Sequence, residues 1–404
     1  MKKILIFGAG KIGRSFIGQL FGRAGYAIVF VDTNGEIIRL LNRQGSYRII
    51  IKGDREEVYL IEHVRGVHFS NEAKVIEEII SADIIALSVG QQGLISVIPM
   101  LAKGIAEKKE ILPGHPVDII IAENIINGDR FIRERLIRHL GPSFPVDSYV
   151  GLIETSIGKM VPIMIAADLA EDPLQVFAEP YNTLILAKQS FRNPVPDVPG
   201  LAPKENMKAW VDRKLFIHNL GHAACAYFGY LKFPGKKYLF EVLSDKDIRD
   251  QTYGVMHESA QVLLKKYPDE FSSTQLEDHI TDLINRFQNH ALKDTVFRVG
   301  CDLKRKLGQE DRLVYPLREG MKGGMFSDKI LYALVCGFYF RAKDESGLYH
   351  PNDALLFSDY PGDIAALLTI ISGFEPLKDK DLIRRAQEFC HHINIKFDPE
   401  IKLI

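Results

Sequence analysis

Gly8-Ala9-Gly10-Lys11-Ile12-Gly13 follows directly on the apolar run Ile4 to Phe7 and precedes a helical pattern beginning at Ser15. That context constrains the fold of the chain more than any other feature. Gly8 permits a tight turn, Gly10 a close approach of backbone to a pyrophosphate, and Gly13 close packing of helix on strand. The helix start adds N–H groups and the positive end of its dipole, so Gly8, Ala9, Gly10, Lys11, Ile12 and Gly13 are expected to cradle a dinucleotide. Asp32 ends the second apolar run, where a carboxylate accepts hydrogen bonds from ribose hydroxyls. Thr33 and Asn34 follow it rather than an arginine. Because a carboxylate there repels a 2′-phosphate, the expected cofactor is NAD rather than NADP. The competing reading is an ordinary tight turn with a solvated strand end.

The apolar runs Ile4 to Phe7, Ile28 to Val31, Ile84 to Val89 and Val117 to Ala122 read as buried strands, separated by helical patterns such as Ser15 to Ala24 and Asn71 to Ile80. The expected fold class is α/β: an N-terminal doubly wound Rossmann sheet followed by a mostly α-helical C-terminal domain. Tyr47 to Phe69 is rich in β-formers and interrupted by Gly53-Asp54, which predicts a hairpin inserted into the nucleotide fold. Ser88, Val89 and Gly90 end a later strand and are expected to line the cofactor cleft. Four prolines and a glycine between Arg192 and Pro203 exclude a helix or a central strand there. The expected division is therefore 1–191, NAD-binding, and 192–404, carrying substrate and catalytic residues. Long helical patterns follow at Met207 to Leu231, Ser244 to Lys266 and Thr274 to His290.

With 404 residues, two cores are the natural arrangement, and a net charge of -1 gives no polycationic face for nucleic acid or anionic membrane. The window Ile84 to Ala102 lacks charge but contains Gln91, Gln92, Gly93 and Pro99, so no transmembrane span is expected. The apolar run after Met1-Lys2-Lys3 stops at Gly8, too early for a secretory leader. Cys225, Cys301, Cys336 and Cys390 show no paired spacing, so a reducing cytoplasm is the expected compartment and no metal site is expected. His391-His392 lacks the spacing of two ligands on one helix face. No heptad seam is evident, which leaves a monomer or small homo-oligomer.

The catalytic candidates lie in Lys214-Leu-Phe-Ile-His-Asn219-Leu-Gly-His222. At about 100° per residue, Asn219 falls roughly 140° and His222 roughly 80° from Lys214, so the three share one broad face. A lysine with a pKa lowered by burial can take an alcohol proton, while an amide and an imidazole hold a developing alkoxide. His218 falls at roughly 40° on the same wheel, so geometry does not choose between the histidines. A plain solvated face gives the same pattern.

With these residues in view, the chain resembles the mannitol-1-phosphate 5-dehydrogenases, a branch of the polyol-specific long-chain (mannitol) dehydrogenases. The resemblance covers nearly the whole length and rests on Phe7 to Arg14, Ala122-Glu-Asn124, Val198-Pro-Gly200, Lys214 through His222, Arg286-Phe-Gln-Asn289 and Asp311-Arg-Leu313. It implies zinc-independent hydride transfer in a cleft between the two domains. Lys214 would be general acid/base, Asn219 and Asn124 would polarise the reacting oxygen, and His222 rather than His218 would position substrate. The chain departs from the family's common Val-Asp-Arg-Ile at Ile157-Gly158-Lys159-Met160. Lysine does not reproduce a bidentate arginine contact, so this departure bears on which substrate group is recognised.

A phosphorylated polyol needs cations. Arg298, Lys304, Arg305, Lys306 and Arg312 form the densest basic stretch, from which Arg298, Arg305 and Arg312 are the phosphate candidates, unless they pair with Asp302, Glu310 and Asp311. The resulting expectation is exchange of mannitol 1-phosphate with fructose 6-phosphate. Two alternatives stand beside it: a hexitol or hexuronate (tagaturonate- or fructuronate-type) oxidoreductase of the same family, and a non-catalytic NAD-binding sensor.

Overall fold

The computed structural model describes residues 1–53, 55–125, 127–359, 362–396 and 403. Its N-terminal unit, Met1–Trp210, contains all eleven strands among the described residues. They are β1 (Lys3–Phe7), β2 (Ala27–Asp32), β3 (Ser46–Lys52), β4 (Glu56–Glu62), β5 (Val64–His68), β6 (Ile84–Leu87), β7 (Val117–Ile121), β8 (Val150–Ile157), β9 (Val176–Ala178), β10 (Leu184–Ala187) and β11 (Leu201–Lys204).

The main sheet runs β11-β10-β8-β7-β6-β1-β2-β5. From β5 to β8 every pairing is parallel, with Ile4 opposite both Ile28 and Ile84, whereas β10 runs antiparallel to β8. Those six parallel strands have the doubly wound order of a dinucleotide-binding fold, whose strand order reverses between β1 and β6. Alternate residues of β1 explain why it reads as a continuous apolar run. Ile4 and Ile6 enter one core with Phe16, Leu20 and Phe30, while Leu5 and Phe7 enter the other with Val29, Ile85 and Leu101.

The predicted hairpin is β3 with β4, paired from Ser46–Glu62 to Lys52–Glu56; Asp54, at its expected turn, lies outside the described residues. The expectation that all of Tyr47 to Phe69 is inserted is corrected. β5 joins the main sheet beside β2, and β9 completes a separate three-stranded sheet with the hairpin. β9 contributes only three residues, too few for a periodic signal. The proline-rich segment ends in β11, an edge strand that tolerates Pro203, and so stays with the first unit, which extends to Trp210 rather than ending at 191.

The second unit, Val211–Ile404, is mostly helical, with long helices at Leu220–Lys232, Lys246–Lys266, Ser273–Phe287, Asp328–Phe338 and Lys380–Lys396. No helix among the described residues is long and apolar enough to cross a membrane.

Candidate functional site

The carboxyl edge of the parallel strands gathers four of the predicted elements: the glycine loop after β1, Asp32 at the end of β2, Ser88 to Gly90 after β6, and Asn124 after β7. Ligands of open α/β sheets bind along this edge, at the point where strand order reverses.

Within the loop, each glycine answers a separate constraint. Gly8 has φ +100°, and a Cβ there would stand 2.2 Å from the Ser88 carbonyl oxygen; on Gly13 it would stand 2.0 Å from the Gly8 carbonyl oxygen. On Gly10 it would meet nothing within 4 Å. Gly10 and Lys11 are exposed, and this open, side-chain-free backbone at a helix start is a cradle that fits a pyrophosphate. Ser88 braces the loop from behind, its Oγ donating to the Phe7 and Gly8 carbonyls at 3.2 Å, while Val89 and Gly90 lead into the helix Gly90–Ile111.

The helix over 11–23 opens with a widened, π-type turn at Gly13–Ile17. There the Gly18 N–H reaches back to the Gly13 carbonyl, and the Arg14 carbonyl so released accepts the Tyr47 hydroxyl at 2.8 Å. The buried Arg14 guanidinium donates to the Ala9 carbonyl at 2.7 Å, tying the loop to its own helix.

Asp32 accepts from the Ala9 N–H at 2.7 Å and from the Asn34 N–H at 2.8 Å. The carboxylate is thus fixed beside the loop, with lone pairs remaining for hydroxyl donors. Replacing Asp32 with serine is expected to weaken NADH binding roughly tenfold and to narrow the preference over NADPH, because a charge-assisted acceptor and the repulsion of a 2′-phosphate are both removed. Fluorescence titration with the two nucleotides measures both effects, and an unchanged preference would remove Asp32 from this role.

Glu123 has no predicted role, although it lies in the quoted Ala122-Glu-Asn124. Its Oε1 accepts the Gly90 N–H at 2.7 Å, capping the long helix after β6, and burial raises its pKa against that bond and one from Val89. Asn124 is exposed, three residues beyond β7.

In the helical unit, Lys214 to Asn219 forms a second π-type turn, followed by the helix Leu220–Lys232. The regular wheel assumed from sequence is therefore corrected, since a widened turn advances each residue by less than 100°. Just before it, buried Asp212 is held by Lys266 Nζ at 3.0 Å and by the Tyr267 hydroxyl at 2.7 Å, which anchors the start of the turn. Burial, aided by the Arg312 cation, lowers the Lys214 pKa to about 8.

His222 stacks on Phe287 with ring centres 4.6 Å apart and planes 11° from parallel. Its Nε2 lies 3.1 Å from Asp294 Oδ2, and that carboxylate favours the protonated ring. Burial holds the imidazole pKa below its usual value despite that carboxylate. His218, 6.0 Å away ring to ring, is driven well below the usual range by burial and by the surrounding His222, Arg286, Lys214 and His279. Asp294 distinguishes the two histidines, and it is a residue the sequence reading did not single out.

Each phosphate candidate has an acidic partner. Arg298 pairs with Asp294, Arg305 with Asp302 and Asp311, and Arg312 with Asp311 at 2.7 Å. Of the three, Arg312 is the cation that bears on Lys214. Buried Lys306 donates to the Val299 carbonyl at 2.8 Å, and burial lowers its pKa to about 8.

Two family models match the chain: the mannitol dehydrogenase Rossmann domain over residues 2–200 and the mannitol dehydrogenase C-terminal domain over residues 206–388. A substrate-free D-sorbitol dehydrogenase crystal structure superposes with TM-score 0.80 at 14% identity, covering 97% of this chain and 93% of that one. Mannitol 2-dehydrogenase from Pseudomonas fluorescens, in a ternary complex with NAD and D-mannitol, superposes with TM-score 0.70 at 16% identity, covering 97% and 92%. At these identities the two structures speak to the fold.

Proposed function

From the premise that this chain belongs to the mannitol dehydrogenase family, we propose that it is an NAD-dependent polyol dehydrogenase that interconverts a polyol phosphate with a ketose phosphate, most simply mannitol 1-phosphate with fructose 6-phosphate. The observation that carries the chemistry is Lys214, set in a widened helical turn with its pKa lowered to about 8. A group poised there exchanges a proton with a substrate hydroxyl near neutral pH.

The glycine loop, Asp32 and Ser88 to Gly90 would hold the dinucleotide, which when bound supplies the hydride acceptor or donor. Lys214 accepts the hydroxyl proton in the oxidative direction and returns it in the reductive one. Asn219 and Asn124 donate amide N–H groups to the reacting oxygen. His222, steadied by Phe287 and Asp294, orients a neighbouring hydroxyl. Arg312, close enough to depress Lys214, is the first choice among Arg298, Arg305 and Arg312 for a phosphate contact.

The ion pairs of all three arginines favour keeping a second reading, a hexitol or hexuronate substrate in the same site, since a phosphate would have to compete with Asp294, Asp302 and Asp311 for them. NADH oxidation measured with fructose 6-phosphate, fructose and tagaturonate in parallel separates the readings. Turnover with fructose 6-phosphate roughly a hundredfold above the other two is the expected result, since of the three only that sugar offers a phosphate to the arginine forks. Preference for either other sugar moves the assignment to the sister activity. NADH binding without turnover on any of them would leave a nucleotide sensor.

A further inference from the structure

We propose that the N-terminal unit carries a second ligand site, independent of the substrate reading above, that binds a small oxyanion in the pocket between the helix over 11–23 and the β3–β4 hairpin. The pocket has a volume of about 480 Å³, which suits a small metabolite, and its polar lining includes Gln19, Arg23, Arg55, Glu57 and Asn182.

Lys159 organises it from behind. The side chain is buried, and its Nζ donates to Gln19 Oε1 at 2.7 Å and to Asn182 Oδ1 at 2.8 Å, with the Phe16 ring centre 5.1 Å away. An ammonium has donors and no acceptor, so it turns both carbonyl oxygens toward itself and both amide NH₂ groups away. Gln19 is itself 1% exposed, and its NH₂ group has no hydrogen-bond partner among the described residues. Two fixed amide donors therefore face the cavity, and such donors are costly to leave unpaired.

Charge points the same way. Arg23, over the Tyr59 ring at 4.2 Å, and Arg55 line the pocket. Among the described lining residues Glu57 is the one acidic residue, and its carboxylate already accepts the Tyr59 hydroxyl at 2.6 Å. Among the described residues, two guanidinium forks and two amide donors against one occupied carboxylate select a carboxylate or phosphate group over a cation or a neutral sugar.

The test is hydrogen exchange on the full chain saturated with NADH, titrated separately with inorganic phosphate and with succinate. At least one anion is expected to slow exchange in β3 and β4, and whichever does so identifies the oxyanion. Replacing the exposed Arg23 and Arg55 together by alanine is expected to raise the midpoint roughly tenfold or more while leaving NADH affinity unchanged. Absence of hairpin protection with both anions would overturn the proposal, as would a midpoint unchanged in the double variant.

Discussion

Lys214→Met is expected to lower turnover by roughly 10²- to 10⁴-fold while NADH affinity stays within about twofold. Methionine fills a similar volume without the charge, and a thermal melt of the variant beside the parent separates lost chemistry from lost fold. The pH dependence gives the sharper criterion. Alcohol oxidation requires neutral Lys214, so its rate rises with pH and levels off above about 8; ketone reduction requires the ammonium and falls through the same range. Steady-state rates in both directions from pH 6 to 10, for the parent chain and the variant, provide the measurement. Retained turnover, or profiles whose inflection near 8 survives the substitution, would assign the proton transfer to another group.

The second large effect is expected at the glycine loop, where neighbouring substitutions should separate cleanly. Gly13→Ala forces a methyl to within 2.0 Å of the Gly8 carbonyl oxygen and 2.9 Å of Ser88 Oγ. Gly8→Ala meets the Ser88 backbone at 2.2 Å and also adopts a φ of +100° that alanine disfavours. Neither obstacle is a flexible side-chain end, so β1, β6 and the helix must move apart. A loss of about 2–3 kcal/mol or more is expected from each, with NADH binding falling by at least a hundredfold. Gly10→Ala, with open space around its Cβ, should melt like the parent and lose only nucleotide affinity. Thermal melts with and without NADH decide this, and a Gly13→Ala protein that melts and binds like the parent would contradict the packing described.

The features legible in the sequence were those whose cause is local. β1, β2, β6 and β7 are buried on both faces and announce themselves as unbroken apolar runs, and the glycine loop is compact enough to read directly. β8 carries Glu154, Thr155 and Ser156 inside its span, β10 is four residues long, and β11 contains a proline. Their strand character comes from neighbours in the sheet rather than from their own pattern. Similarly, Lys214, Asn219 and His222 were visible together, but the widened turn was not, because a carbonyl left without its usual partner has no signature in residue type. Asp294 lies far from His222 in sequence, and Gln19 further still from Lys159. Such pairs are made by tertiary folding alone.

The two widened turns, Gly13–Ile17 and Lys214–Asn219, also bear on how this chain can change over generations. Each depends on residue count as well as on residue type. A single-codon deletion inside either segment does remove it. Losing one residue from a regular α-helix rotates everything downstream by about 100°, whereas a widened turn holds one residue more than a regular one and absorbs the loss by closing to ordinary helix. At the second turn, the helices on either side would keep their register while the residues between Lys214 and Asn219 changed face. In a deep mutational library, in-frame deletions are thus expected to leave a folded chain more often at these two stretches than in the regular helices, with activity lost wherever Gly13, Lys214 or Asn219 is displaced.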